Sequence, residues 1–391
     1  MKPVRIGVIG YGNVGSMHAE NLYTGKIKNS ILAAVCDIDE GKRERAAKRF
    51  DGVPVFATHT ELLAAGAVDA VIVSVPHYFH HVIAIDAFEK GLHVLTEKPA
   101  GVRMEDISAM VRAAEKSGKV FGIMFNQRTN PLFKRARELV RSGELGVPKR
   151  LTWIITNWYR TQSYYDSGAW RGTWSTEGGG VLTNQAPHNL DILQWIFGMP
   201  KRVRGFGYEG HYHAITVEDL AVIHGEYENG ATMQFITTTG EYPGTNRLEI
   251  VGDSGKIVIE GGVLKLWKLS AKERDFCFTA KEGCPDIPVE YSEYIPEEKE
   301  TAHAGILENF AEAILTGAPL LAPGVEGVHQ ARLTQGAYLS TWTDGWVDMG
   351  FDEKTYSQYL ENQSKKEEAK KNGAPTDHAN GDARSRWSVK W

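Results

Sequence analysis

Gly10-Tyr11-Gly12-Asn13-Val14-Gly15 spaces three glycines as G-x-G-x-x-G. That spacing suits a phosphate-binding turn. The first glycine permits the tight bend, the second lets backbone approach a pyrophosphate, and the third lets strand and helix pack closely. Asn13 and Val14 then open a helix whose N–H groups and partial positive charge face the phosphates. Asp37 follows 22 residues after Gly15. A carboxylate there accepts both ribose hydroxyl hydrogens and repels a 2′-phosphate, which favours NAD over NADP. Arg43 and Arg45, on the next predicted helix, are the groups that could relax this preference.

Two further stretches carry proton chemistry. Glu97-Lys98-Pro99 closes an apolar run, His93–Thr96. At the carboxyl end of a parallel strand such a lysine projects toward a bound nicotinamide, whereas a plain surface Glu–Lys pair would contribute little. Gly178-Gly179-Gly180 leads into Asn184, His188 and Asp191. On one helix these three fall at i, i+4 and i+7 and share a face. Pro187 suits a first turn, so Asn184 can also sit just before the helix. A lone histidine is more often structural. The neighbouring glycines, which let backbone approach a ligand, and the polar face argue for a functional one.

Short apolar runs at Val4–Ile9, Ile31–Cys36, Ala70–Val75, His93–Thr96 and Val120–Phe125 alternate with helical patterns at 13–23, 41–50, 80–90 and 104–117. Such alternation predicts an α/β unit whose parallel sheet is covered on both faces. After Pro131 the pattern changes to a helix over 132–142, a strand over 150–157, and strand-like runs from Val203 to Leu269 parted by turns such as Asn229-Gly230. This second part is expected to be an α+β domain with an open, mostly antiparallel sheet. The expected division is a nucleotide-binding domain over 1–126, a substrate and oligomerisation domain over 127–361, and a tail over 362–391. The tail lacks core-forming content yet ends Arg386-Trp387-Ser388-Val389-Lys390-Trp391, which suggests docking on this chain or a neighbouring subunit.

The 391 residues are 42% hydrophobic and 24% charged, with a net charge of −5, so a basic nucleic-acid binder is not expected. No apolar stretch is long enough to span a membrane, and the N-terminal glycine run does not read as a secretory signal. Cys36, Cys277 and Cys284 are too few for a disulfide framework and have no metal-ligand spacing. Free thiols in a cytoplasmic protein are expected, with no metal. The loop Tyr159-Arg160, Tyr164, Trp170-Arg171 and Trp174 mixes aromatic, cationic and small residues. It reads as a substrate pocket.

Together the glycine fingerprint, Val75-Pro76 with His80, Gly91 with Glu97-Lys98-Pro99, Arg128-Thr129-Asn130-Pro131, Gly143-Glu144-Leu145-Gly146 and the triple glycine with His188 resemble the Gfo/Idh/MocA family (glucose-fructose oxidoreductase, inositol dehydrogenase, rhizopine catabolism) over about residues 3 to 350. The resemblance implies a Rossmann domain followed by an α/β domain through which members form dimers, tetramers or hexamers. It implies NAD, or less favourably NADP, and a carbohydrate or cyclitol substrate. The cofactor set is then Gly10, Gly12, Asn13, Val14, Gly15, Asp37, Ile38, Ser74, Val75, Pro76, His80, Glu97, Lys98, Asn126 and Arg128. The catalytic set is Lys98, His188 and Asn184. His188 takes the hydroxyl proton as hydride leaves the carbon; an ordinary imidazole titrating at about 6.5 suits this. Lys98 stabilises the developing oxyanion or relays the proton. Such enzymes often carry aspartate four residues before the histidine, where this chain has Asn184, an amide that does not titrate. Asn184 and His188 also count among the substrate contacts. The alternative readings are an NAD-dependent glycosidase working by transient C3 oxidation, and a nucleotide-sensing regulator, which would have no use for Lys98 and His188.

Overall fold

The computed structural model describes residues 2–373, with the backbone alone for 370–373. The expected docking of Arg386–Trp391 lies outside the described residues. The chain forms two compact units. Among the described residues, the first comprises those up to Asn130 with Lys299–Ala331, and the second Pro131–Glu298 with those from Arg332.

Six strands build the first sheet: β1 (Val4–Ile9), β2 (Ser30–Cys36), β3 (Val55–Phe56), β4 (Ala70–Val73), β5 (His93–Thr96) and β6 (Phe121–Ile123). All pair in parallel in the order β3-β2-β1-β4-β5-β6. Every residue of β4 is buried, as expected for a strand covered on both faces. The order reverses between β1 and β4, and carboxyl ends of strands at such a switch point form a ligand crevice.

This unit does not end near residue 126. The helix Ala302–Thr316 returns to it and inserts Ile306, Leu307, Phe310 and Ala311 into the core of the parallel sheet. Ile123 N–H donates to the Ala322 carbonyl at 3.1 Å, extending the edge beyond β6.

The second unit holds nine strands: β7 (Pro148–Ile155), β8 (Arg202–Glu209), β9 (Glu218–Glu226), β10 (Thr232–Thr238), β11 (Asn246–Gly252), β12 (Gly255–Glu260), β13 (Val263–Leu269), β14 (Val289–Tyr294) and β15 (Val347–Asp348). Their order is β14-β13-β12-β11-β7-β10-β9-β8-β15. Only the β7–β10 pair is parallel. Burial alternates along β9 and β10, so one face packs into a core and the other is half-buried. Trp153 anchors the packed face, with Phe133 and Phe235 ring centroids 5.5 and 6.2 Å away.

The expected tail begins inside a helix, Glu353–Gly373. Tyr356 and Leu360 bury its inner face, and Glu367 is also buried. Its carboxylate accepts the N–H groups of Trp174 and Ser175, both at 3.0 Å. A single apolar turn followed by a well-bonded carboxylate was enough to seat a segment whose composition reads as solvated. No described helix is long and apolar enough to cross a membrane.

Candidate active site

In the first unit the turn after β1 is closed by steric need. Gly10 has φ +94°, and a Cβ there would lie 2.3 Å from the Ser74 carbonyl oxygen. A Cβ on Gly15 would lie 1.8 Å from the Gly10 carbonyl oxygen. Gly12, by contrast, has open space around it. The helix Asn13–Tyr23 starts there with no side-chain cap and no acidic residue in its first turn. Its N-terminal N–H groups and dipole are thus left to an anion.

Asp37 lies buried just past β2. It accepts the N–H groups of Tyr11 at 2.7 Å and Asp39 at 2.9 Å, with Lys42 Nζ 3.5 Å away. Its neighbour Ile38 is almost fully exposed. Arg43 donates to the carbonyls of Asp37 and Ile38 at 3.1 and 2.8 Å, which holds its guanidinium against backbone. An open glycine turn, an uncapped helix and a fixed carboxylate fit a dinucleotide with an unphosphorylated ribose.

Lys98 is the one half-buried residue in an otherwise buried run from Val94 to Val102. The Lys98–Pro99 bond is cis. His80 braces this turn from behind. Its Nδ1 lies 2.9 Å from the Pro99 carbonyl and its Nε2 2.9 Å from the Val75 carbonyl. Burial pushes the His80 pKa down. Glu97 meets His18 Nε2 at 2.7 Å. Burial pushes its carboxyl up, but the His18 hydrogen bond and the charges of His18, Lys98 and His303 outweigh that and bring it to about 2. Glu97 is therefore a fixed anion beside Lys98. His18 and His303 were not among the expected site residues, since a histidine inside a helical pattern carries no signal of its partner.

Asn126 approaches His303 Nδ1 at 3.2 Å. Arg128, expected along the nucleotide, is fully buried. It donates to the Leu321 carbonyl at 3.1 Å and to Glu326, and lies 5.3 Å from the Phe125 ring. A guanidinium so enclosed ties the returning segment to the sheet.

In the second unit the stretch from Gly178 to Ile196 is buried except at Asn184 and His188. Two helices meet here, Val181–Asn184 and Pro187–Phe197, the latter with Pro187 in its first turn. These two polar side chains thus come out of one buried block. Asp191 does not join them: it is fully buried and accepts Gln194 Nε2 at 2.9 Å. Glu218, at the start of β9, accepts the N–H groups of Gly180 and Leu182 at 2.9 Å each and the Tyr338 hydroxyl at 2.8 Å. Burial pushes its carboxyl up to about 8 against the pull of those donors.

The loop before this block is an aromatic–cation layer. Arg171 lies 4.4 Å from the centroids of both Tyr164 and Trp170 and donates to the Tyr164 hydroxyl at 2.7 Å. Arg160 lies 5.1 Å from the Tyr164 ring. Tyr159 is exposed beside Tyr242. Asn184 Nδ2 and Gln185 Nε2 each reach the Tyr164 hydroxyl at 3.3 Å. Asn184 Nδ2 also donates to Glu177, a buried carboxylate that no sequence pattern marked. Trp174 departs from expectation. It is 2% exposed, donates to the Thr216 carbonyl at 2.9 Å, and packs on Tyr338 and Trp342. It is a core residue, because its indole N–H finds a backbone partner inside the unit.

Comparison with known proteins agrees with this architecture. Residues 4–125 match the oxidoreductase-family model of an NAD-binding Rossmann fold, and residues 133–258 match the GFO/IDH/MocA C-terminal domain. The scyllo-inositol 2-dehydrogenase (NAD(+)) of Bacillus subtilis is 27% identical over 80% of this chain and 87% of that protein. The inositol 2-dehydrogenase of Corynebacterium glutamicum is 29% identical over 50% of this chain, a match that spans only 55% of that relative. Among solved structures, the WlbA dehydrogenase of Chromobacterium violaceum, in complex with NADH and UDP-GlcNAcA, superposes with a TM-score of 0.77 at 26% identity, covering 90% of this chain and 97% of that one. Levoglucosan dehydrogenase in complex with NADH shares the fold, with a TM-score of 0.75 at 19% identity over 90% of this chain and all of that one. With an NAD-binding Rossmann unit, a matching C-terminal domain and the open mixed sheet between its strands β14 and β15, the chain belongs to the Gfo/Idh/MocA oxidoreductase family.

Proposed function

We propose that the protein is an NAD-dependent dehydrogenase acting on a secondary hydroxyl of a sugar, cyclitol or glycoside. The observation that supports this most is the selective emergence of Asn184 and His188 from a buried block, in a chain whose other unit likewise leaves Lys98 as the half-buried base at a strand end.

NAD, when bound, supplies the acceptor for the hydride that leaves the carbinol carbon. Gly10, Gly12, Gly15 and the start of the helix Asn13–Tyr23 hold its phosphates, and Asp37 takes the adenosine ribose hydroxyls. His188 removes the hydroxyl proton, Asn184 orients that hydroxyl, and Lys98 stabilises negative charge developing on its oxygen. Glu97, already an anion, stands next to Lys98 at the strand end. Tyr159, Tyr164 and Trp170 cover the C–H faces of the ring, while Arg160 and Arg171 donate to its hydroxyls. The unpaired thiols of Cys36, Cys277 and Cys284 suit a cytoplasmic setting. The half-buried sheet face is the surface for a second copy, giving a homo-oligomer.

The inositol and sugar names of the relatives set the screen. The purified protein is incubated with NAD and, separately, myo-inositol, scyllo-inositol, levoglucosan, free hexoses and aryl glycosides, and NADH is followed by absorbance. Sustained NADH formation with one of them supports the reading. Release of an aglycone with no accumulation of NADH would replace it with the glycosidase reading.

A further inference from the structure

The aromatic–cation loop ends at Trp174 and Ser175, and that end is held by the helix Glu353–Gly373. Tyr356, Leu360, Gln363 and Glu367 recur at steps of three and four residues, so they share one face of this helix. Tyr356 lies 5.7 Å from Trp342, a ring that also packs on Trp174 at 5.3 Å. Three turns on, Glu367 is 2% exposed. Its Oε2 accepts the N–H groups of both Trp174 and Ser175 at 3.0 Å. Its Oε1 lies 3.1 Å from the Thr216 hydroxyl, which is equally near the Gly172 carbonyl and whose single hydrogen serves one of the two at a time. From there the path to the loop's rings is short. The Thr173 and Thr176 hydroxyls lie 2.9 and 3.0 Å from the Trp170 carbonyl, and the Gly178 N–H donates to the Thr173 carbonyl at 3.0 Å. Arg171 donates to the Tyr164 hydroxyl, which meets Asn184. Without the Glu367 side chain two N–H groups, one of them on buried Trp174, lose their acceptor. A buried donor without a partner is costly enough for the backbone to move in search of one.

We propose that the helix Glu353–Gly373 is a clamp on the substrate loop, with Glu367 as the positioning residue that sets where Trp170 and Arg171 stand and thereby the affinity for substrate. This rests on the dehydrogenase reading above, in which those side chains contact the sugar or cyclitol. Two N–H donors converge on one oxygen of Glu367, and an amide oxygen accepts them as a carboxylate oxygen does. The clamp therefore needs an acceptor at position 367 and not a charge. Ring and guanidinium contacts hold substrate and transition state alike, so the clamp acts on KM more than on kcat.

Four variants test this: E367A, E367Q, T216V and, as a control, L264A. Each is compared with wild type for kcat, KM, the Kd for NAD and melting temperature, with whichever compound of the screen is turned over fastest. E367A raises KM about tenfold or more, keeps kcat within about threefold, and leaves the Kd for NAD unchanged by protein fluorescence. E367Q offers its amide oxygen to the two N–H groups and its amide N–H to the Thr216 oxygen, and holds KM within about twofold of wild type. T216V removes the hydroxyl beside Oε1, raises KM about twofold or more, and carries the decision if E367A does not fold. Leu264 is buried on β13, near one edge of the mixed sheet. L264A melts lower than wild type with an unchanged KM, which separates the clamp from a general loss of stability. An unchanged KM in E367A (in T216V, should E367A not fold), an E367Q as impaired as E367A, or an L264A whose KM rises as far as that of E367A overturns the proposal. A wild type that forms no NADH from any compound of the screen overturns the dehydrogenase reading, and the proposal falls with it. An active wild type with an indifferent E367A overturns the proposal alone.

Discussion

Lys98 and His188 are set apart by what surrounds them. Each is a basic side chain allowed part of its surface in a run that, Asn184 apart, is closed to water. If they carry the proton and the oxyanion, Lys98→Ala and His188→Ala each lower kcat by about 10²-fold or more, with little change in NAD affinity. Steady-state NADH formation and a separate NAD titration check both parts. Asp37 makes a different prediction. Its carboxylate is fixed by two backbone N–H groups, and Arg43 is held on backbone carbonyls. Replacing it by alanine removes charge-assisted bonds to the ribose worth about 1.5–3 kcal/mol. The Kd for NAD should rise about tenfold or more while that for NADP improves, as read by protein fluorescence. An unchanged ratio of the two constants would show that Asp37 does not choose the cofactor.

At the level of elements, Glu218 joins the start of β9 to the glycine segment ahead of Asn184. An unfolded glutamate releases its proton near 4.5, whereas the folded one holds it to about 8. Ionising it in place costs stability progressively as pH climbs through that window. E218Q cannot ionise, so its melting temperature should escape a decline of at least about 1 kcal/mol, roughly 2–4 °C, that wild type shows there. Equal decline in both proteins, followed by calorimetry, would place the pH dependence elsewhere. The elements differ in how readily they could be read. β1, β4 and β5 were legible because buried parallel strands are continuous apolar runs, and Asn13–Tyr23 because the fingerprint announces it. β3 has two residues, too few for any period. Trp174 was misplaced because an aromatic residue beside glycines looks the same whether it faces a ligand or a core. Glu177 was invisible because a buried carboxylate is defined by its donors, Gly172 and Asn184, which only the fold brings to it.

For the whole molecule the principal departure is the return of residues 299–331 to the first unit. Phe310 and Leu307 are wholly buried in the parallel sheet's core, and fully buried Arg128 meets Glu326. A fragment ending at Asn130 would expose that apolar surface and leave Arg128 without this partner; losing one large buried side chain alone costs about 2–5 kcal/mol. Such a fragment should bind NAD poorly and melt at least about 10 °C lower, or aggregate, whereas one with residues 299–331 joined through a flexible linker should recover a cooperative transition. Circular dichroism melting of the two fragments decides this. A stable, NAD-binding short fragment would show that the returning helix is dispensable.

That return also orders events during synthesis. Chains leave the ribosome from the N-terminus at about 5–20 residues per second, and domains generally fold in the order they emerge. Here the nucleotide-binding half appears first yet waits for Phe310, so β7 to β14 of the mixed sheet have left the ribosome before their predecessor can close. Nascent chains stalled before residue 299 should still be protease-sensitive in their first 130 residues, with capture of the dinucleotide among the last steps of biogenesis.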